Sequence, residues 1–441
     1  MTAELPRKTL PDDPSRGEIL TSLVIGAQTW IHRRVDSFTL GAGGTTRRSM
    51  SFDLTIPPDF TLLGPKDQVL VPLALIEKGA LRRVDTDDPD RHPMPVLGAA
   101  ENSRLTAELL AFLLEPAAPG LGFPSSRLRL LLDRLVAFRP GIDSDADRAH
   151  IVAELDNAIR DAWPDPDGEQ AEVAALAEHI ARGFLDHFLL VVAVSSDLVG
   201  RRVVLKFGYD REVGAPDWGN RVGAIRFSLP DVGLSRSQHV EFEAPPGLKV
   251  VELDVAETFR EHPTGNGGVD HPAEQRAVAH VAFTPTRPLS GAEARVEVAP
   301  VGSGIYSFTV VAVLAVLAFS GLIINERQPG VQLVSLDFHV PSQSVSLLLI
   351  GPALFLSWMA RAPEHRALAA LLAPLRLMLA VCTLALLLAG VAVAVPLERW
   401  VWDTIWALVP ILGIVNSIGL LLYSVNAPGF VRALFERRSA P

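Results

Sequence analysis

Four groups of side chains in this 441-residue chain have the types and spacing for metal, phosphate or proton chemistry. Asp143, Asp145, Asp147 and Glu154 stand at positions 1, 3, 5 and 12 of a calcium-loop pattern, which wraps oxygen ligands round a hard cation. Position 6, where glycine permits the sharp turn, is Arg148. Acids in a helix's first turn, favoured by the macrodipole, account for the run better. Asp85, Asp87, Asp88, Asp90 and His92 crowd the segment DTDDPDRHP. It reads as a solvated turn between strands, with metal binding as the sharper alternative. His179 and His187 lie near one helical face with Asp186 beside the second. Without a HExxH pattern or a third ligand they read as helix-surface histidines. Gly41, Ala42, Gly43 and Gly44 precede Thr45, Thr46, Arg47 and Arg48, a composition that could hold an anion. Without GK[ST] or a following helical pattern the segment reads as a hairpin turn. No catalytic, cofactor-binding or metal residue is assigned, and no cofactor is expected.

The elements that must position these groups divide the chain. Residues 1–16 read as a flexible tail. Residues 17–100 are strand-like: Ser49, Ser51, Asp53 and Thr55 alternate with Met50, Phe52, Leu54 and Ile56, the period of a half-buried strand. DQVLVPLALIEKG reads as another strand, with Pro72 marking an edge or a bulge. Residues 101–187 switch to helical period. Ser103 is placed to cap a helix through Leu114, and Ser125 or Ser126 one that stops at Pro140. Ile151, Leu155 and Ile159 form one apolar stripe and Val173, Leu176, Ile180 and Phe184 another. Arg127, Arg129, Arg134 and Arg139 make the 126–139 helix basic and amphipathic. Its leucines suit core packing, with an anionic membrane surface as the alternative partner. Residues 188–302 return to short strands that suggest an antiparallel sandwich, one that could also take in 17–100.

Beyond residue 302 the chain changes character. Residues 304–323, 340–360, 377–397 and 404–424 carry no charged side chain, and about 20 apolar residues match the hydrocarbon thickness of a bilayer. The expected fold class is therefore an α+β soluble domain plus four transmembrane α-helices over 303–428, with a basic tail over 429–441. Asn416 is polar at depth and reads as hydrogen-bonding glue between helices rather than a pore lining. Residues 301–441 hold 6 of the 50 acids and 8 of the 40 bases, leaving 44 acids and 32 bases in residues 1–300. Such a negative field argues against nucleic acid as a partner. The lone cysteine, Cys382, allows no intramolecular disulfide, and the N-terminus has no apolar core before a cleavage site, so no signal peptide is expected. Arg361, Arg366, Arg376, Arg432, Arg437 and Arg438 lie on one side of the spans, and Arg327 and Arg399 on the other. The positive-inside rule then puts both termini and the soluble part in the cytoplasm.

The stretch QHVEFEAPPGLKVVE, the first span, and then MARAPEHRALAALLAPLRLMLA resemble a group of multi-pass membrane proteins of high-GC bacteria with a cytoplasmic β-rich domain. Their pattern is an "HFE-APPG" strand and an "RPxEH" turn between the second and third spans. Here the turn is Arg361, Ala362, Pro363, Glu364, His365, with the proline one place later. The resemblance implies architecture and no activity. Arg361, Glu364 and Arg366 are candidates for docking the soluble part onto this turn. The expected function is a membrane-anchored cytoplasmic sensor, scaffold or signalling protein without catalytic activity, whose partners are the bilayer and a protein or small ligand. Two alternatives are an effector whose helices oligomerise to permeabilise the bilayer and, below it, an enzyme with an unrecognised site. The arginine asymmetry predicts that reporter fusions after residue 300 and at the C-terminus both score cytoplasmic. Periplasmic reporter activity at either position would overturn the orientation.

Overall fold

The computed structural model describes residues 15–41, 45–64, 67–79, 81–114, 126–164, 166–212, 223–257, 269–270, 277–285, 289, 291–301, 305–326, 366–394 and 398–424. The chain opens on two helices where strand was expected, α1 (Arg16–Ile25) and α2 (Ala27–Trp30). Ser15 caps α1 by accepting from the Glu18 N–H at 3.2 Å. Leu20, Leu23 and Val24 are buried in the main core, so capping and packing override the local strand signal.

The strands β1 (Ile31–Leu40) and β2 (Thr45–Thr55) form a hairpin. β3 (Leu62–Leu63), β4 (Gln68–Glu77) and β5 (Arg82–Asp87) follow. Four helices come next: α3 (Ala99–Leu114), α4 (Ser126–Ala137), α5 (Asp145–Ala162) and α6 (Gly168–Asp186). α3 begins before Ser103, which lies inside it rather than at its cap. The remaining strands are β6 (His187–Ser195), β7 (Arg202–Glu212), β8 (Gly223–Leu229), β9 (Gln238–Glu243), β10 (Leu248–Glu257), β11 (Val269–Asp270), β12 (Val278–Phe283) and β13 (Ala292–Pro300).

Three sheets result: β12-β9-β1-β2-β7-β5, β11-β10-β13-β8, and β3-β4-β6. Strands from before and after the helical segment share the first and third sheets. The expected antiparallel sandwich needs one correction. β1 runs parallel to β9, with Arg34 opposite Gln238 and Asp36 opposite Val240, so the largest sheet is mixed. The strand containing Pro72 is central in its sheet, and its register shifts between Pro72 and Ala74, the bulge a residue without an N–H demands.

Between the two cores of the body lies a buried ion cluster. Period 2 puts Arg34 and Asp36 of β1 on the same face as Arg48 of β2. Arg34 grips Asp36 with Nε and Nη2 at 2.8 and 2.9 Å, and its Nη1 lies 2.5 Å from Asp231. Arg48 donates to Asp36 from Nε and Nη2 at 3.0 and 2.7 Å, and Gln238 Nε2 donates to Asp36 at 2.5 Å. Arg34, Asp36, Asp231 and Gln238 are all 0% exposed. Burial by itself raises the Asp36 carboxyl, but Arg34 and Arg48 outweigh it and hold it below its ordinary value.

After the sheets come three apolar helices, α7 (Ser307–Glu326), α8 (Arg366–Ala394) and α9 (Arg399–Ser424). Two stretches among the described residues are long and apolar enough to cross a membrane, Leu371–Val391 and Asp403–Ser424, rather than the four expected; Ser307–Ala318 is a shorter apolar piece. The expected span 340–360 lies outside the described residues. The third helix starts at Arg366, before the expected 377, because its first turns pack on the sheets. Leu371, Leu372 and Leu375 are buried with Phe38, Phe227, Leu253 and Val296 in a single core.

Removing one member of the ion cluster leaves uncompensated charge in a dry site, which costs about 3–5 kcal/mol. Asp36→Ala should therefore cost about that much stability in denaturant titrations of the purified chain. Because the folded carboxyl is held below its ordinary value, the cluster's contribution is complete above the usual Asp range of about 4 and is lost as pH falls below it. A melting temperature that stayed flat through that window would contradict the assignment.

Candidate functional site

A cavity of about 480 Å³ lies where the ends of the three sheets meet α6, within the range that holds small-molecule ligands. The hairpin and β7 supply Phe38, Thr46, Arg48, Tyr209, Arg211 and Glu212; β4 and β6 supply Leu75, Glu77 and His187. α6 presents His179, Ile180 and Gly183, and β8 and β13 present Arg226, Phe227, Ser228, Ala292 and Glu293. Strand register explains the grouping. Arg48 pairs with Tyr209 and Thr46 with Arg211 across β2 and β7, so the four form one corner of the sheet.

That corner joins the ion cluster. Arg48 Nη1 donates to Tyr209 Oη at 3.3 Å, and its guanidinium lies 5.5 Å over the Phe38 ring. Phe38 in turn stacks on Phe227 at 4.5 Å between centroids. Thr46 is buried and its hydroxyl has no partner among the described residues. At the rim the carboxylates are paired: Glu77 with Arg211, Glu212 with Arg82 at 3.1 Å, and Glu293 with Arg226 at 3.5 Å.

His179 and His187, singled out in sequence as surface groups, stand on the cavity wall instead. The Leu289 carbonyl only accepts, so His179 Nε2 donates to it, at 3.0 Å. By the same reasoning His187 Nδ1 donates to Gly183 O at 2.9 Å, which leaves the His187 Nε2 lone pair free in the neutral ring. Burial pushes the His179 imidazole down from its ordinary value, against the opposing pull of its Leu289 bond.

The other sequence candidates have separate structural work. Asp147 and Ser144 form a capping box at the start of α5, and Asp143 accepts from the Arg139 N–H at 2.6 Å. Glu154 pairs with Arg134. Arg148, which breaks the calcium-loop pattern, grips Asp186 with two bonds of 2.6 and 2.7 Å. The capping acids and Glu154 therefore do not converge. Asp88, Asp90 and His92 are the described group whose ligand atoms come within 4.8 Å of one another. Asp88 already accepts the Asp90 and His92 N–H groups, and Asp85 is drawn away by Arg47. Leu128, Leu131, Leu132 and Leu135 of α4 face the core, while Leu130, Arg127 and Arg129 are exposed. Residues 42–44 of the glycine segment lie outside the described residues, as do Arg361 and Glu364; Arg366 opens α8. Asn416 is buried and donates to Cys382 Sγ at 3.4 Å, tying α9 to α8.

Arg34, Asp36, Arg48, Thr46 and Tyr209 were not singled out from sequence. The signal was there in part. Continuing the alternation of Met50, Phe52 and Leu54 back along β2 places Arg48 and Thr46 on the buried face.

The described residues thus form an α+β body with one mixed and two antiparallel sheets, a cavity and an apolar helical end. No family model and no curated protein match it. Among solved structures it has a likeness to the crystal structure of baculovirus P35, at 9% identity and a TM-score of 0.18, over 62% of this chain and 97% of that one. At that score the likeness carries no argument. The capping role of Asp143 and Asp147 predicts that calcium leaves the melting temperature of the chain unchanged. A calcium-dependent rise abolished by Asp143→Ala would show a real cation site.

Proposed function

We propose that the chain is a membrane-anchored cytoplasmic sensor without catalytic activity, in which the α+β body reads a ligand and passes its state to four transmembrane helices. The observation that carries this reading is a shared core. Phe38, Phe227 and Ala292 line the cavity and belong to the same cluster as Leu371, Leu372 and Leu375 of α8. Any shift in the cavity wall therefore meets the foot of a membrane helix directly, with no linker to absorb it. The paired rim carboxylates favour binding over acid or base catalysis.

The helix packing supports the membrane reading. Only 39% and 22% of the two long apolar stretches is buried, whereas the core helix of a soluble protein is mostly covered. Leu377, Leu384, Ile411, Ile414, Ile418 and Leu422 are exposed, and lipid covers such a surface without cost.

It also supports four spans. α9 runs antiparallel to α8, since Asn416 meets Cys382 and Gly419 faces Met378. It runs antiparallel to α7 as well, since Gly413 faces Val316 and Tyr423 stacks near Tyr306 at 6.5 Å. α7 and α8 are therefore parallel, and both leave from the side of the sheets. On this reading the return crossing falls between Glu326 and Arg366, outside the described residues, where the charge-free sequence 340–360 has the length of a span. The C-terminal end of α9 comes back to the body, in keeping with both termini on the cytoplasmic side.

The test separates a sensor from an inert anchor. Leu375→Ala removes a fully buried contact between body and helix, a change that costs about 2–5 kcal/mol at such sites. Spin labels on the lipid-facing positions Leu314 and Leu408, in a Cys382→Ala background, report the spacing of α7 and α9. The sensor reading expects the label-to-label distance to shift in Leu375→Ala relative to the parent. An unchanged distance distribution would reduce the helices to an anchor.

A further inference from the structure

We infer that the cavity is a binding site for an uncharged small molecule with an apolar body and a hydrogen-bond-accepting carbonyl oxygen. This deepens the sensor reading and rests on it only for where the signal goes.

The first observation is Gly183. It sits inside α6, where glycine costs about 1 kcal/mol relative to alanine, and a Cβ built on it meets nothing within 4 Å. It also lines the cavity. A side chain here would start into the open volume of the cavity.

The second observation is the surplus of donors in the sheet corner. Tyr209, 1% exposed, accepts from Arg48, and its own O–H has no acceptor among the described residues. The Thr46 hydroxyl is buried without a partner among the described residues. A buried hydroxyl without an acceptor is costly, and an acceptor oxygen brought by a ligand would relieve two of them together.

The third observation is charge. The guanidinium behind these hydroxyls is already matched, since Arg34 and Arg48 face Asp36 and Asp231. The two other lining guanidiniums, Arg211 and Arg226, are paired with Glu77 and Glu293, so a ligand anion would meet no unmatched arginine among the described lining residues. α6 turns its C-terminal half to the cavity, the negative end of its dipole. Phosphates and carboxylates are thus disfavoured, and a neutral carbonyl is the acceptor that fits. The Phe38–Phe227 stack, with Ile180 and Leu289 nearby, supplies the apolar surface for the rest of the molecule.

The test uses the full chain in lipid nanodiscs and two naphthalene probes of similar size. One is the uncharged ketone 6-propionyl-2-(dimethylamino)naphthalene; the other is the anionic 2-(p-toluidino)naphthalene-6-sulfonate. Partition into lipid is subtracted with empty nanodiscs. The expected result is saturable, blue-shifted emission from the ketone, absent in Gly183→Leu, and weaker or absent binding of the sulfonate. Thr46→Val combined with Tyr209→Phe should weaken the ketone about tenfold, the value of one to two neutral hydrogen bonds. The double variant removes the Thr46 hydroxyl, unpartnered among the described residues, and a Tyr209 hydroxyl that accepts one long bond of 3.3 Å from Arg48; it adds no volume to the core and so tests the site independently of Gly183→Leu. Equal ketone signal in Gly183→Leu and the parent, unchanged affinity in the double hydroxyl variant, or no saturable ketone signal at all would overturn the site. Sulfonate binding as tight as the ketone would overturn the neutral-ligand assignment. Ketone binding that leaves the α7–α9 label distance unmoved would keep the site and remove only the sensor reading.

Discussion

The buried cluster of Arg34, Asp36, Arg48 and Asp231 is the constraint from which the rest of the body follows. Charges in a dry interior are tolerated only when every partner is in place, and this cluster draws its partners from far-separated parts of the chain. Asp36 is held by two strands of a hairpin and, through Gln238, by a strand more than two hundred residues away. A slip of one residue in either pairing would turn Arg34 and Asp36 to the opposite face. The cluster therefore fixes the antiparallel register of β1 with β2 and the parallel register of β1 with β9 together. That parallel neighbour brings β9 and β12 into the first sheet, while β7 enters it antiparallel beside β2.

The same cluster shapes the cavity. Arg48 is at once the end of the ion network and the back of the cavity corner, so its charge is spent inward on Asp36 and Asp231 rather than outward. What it leaves facing the cavity is a neutral, donor-bearing surface around Tyr209 and Thr46. The ring over which Arg48 lies, Phe38, packs on Phe227, and both belong to the core that receives Leu371, Leu372 and Leu375. A short chain of contacts thus links a buried ion cluster, a cavity and the foot of a membrane-type helix. The helix foot shows the reason for the arrangement: its leucines are apolar enough to continue into lipid and are instead used where the sandwich core would otherwise be open.

Two kinds of local signal in the sequence matched the elements that formed. Alternation in β2 and the apolar stripes of α5 and α6 give strand and helix because side-chain period is set by backbone geometry alone. Where tertiary packing supplied a competing benefit, the local signal failed. Residues 16–30 are helical because Ser15 caps them and their leucines fill the main core. Helix α8 begins before the expected residue 377 because the sheets offer its first turns an apolar seat. Asp143, Asp145 and Asp147 fit a calcium-loop spacing yet read better as acids of a helix's first turn; Asp147 closes the capping box with Ser144, Asp145 stands in that first turn, and Asp143 accepts the Arg139 N–H.

The sequence by itself determined where the chain turns apolar, which segments carry helical and strand period, and that its acidic residues concentrate in the N-terminal part. These are properties of composition and short-range spacing, and need no neighbour in space. Only the tertiary structure decided that His179 and His187 share a wall with Arg48 and Tyr209, that β1 lies beside β9, and that α7 and α8 run the same way. Each depends on residues tens to hundreds of positions apart, and the energies that bring them together are burial of apolar surface and pairing of buried charge. Periodicity marks which face of an element is buried but not what it is buried against, so the cavity and its seat on the apolar helices emerge only once the chain is folded.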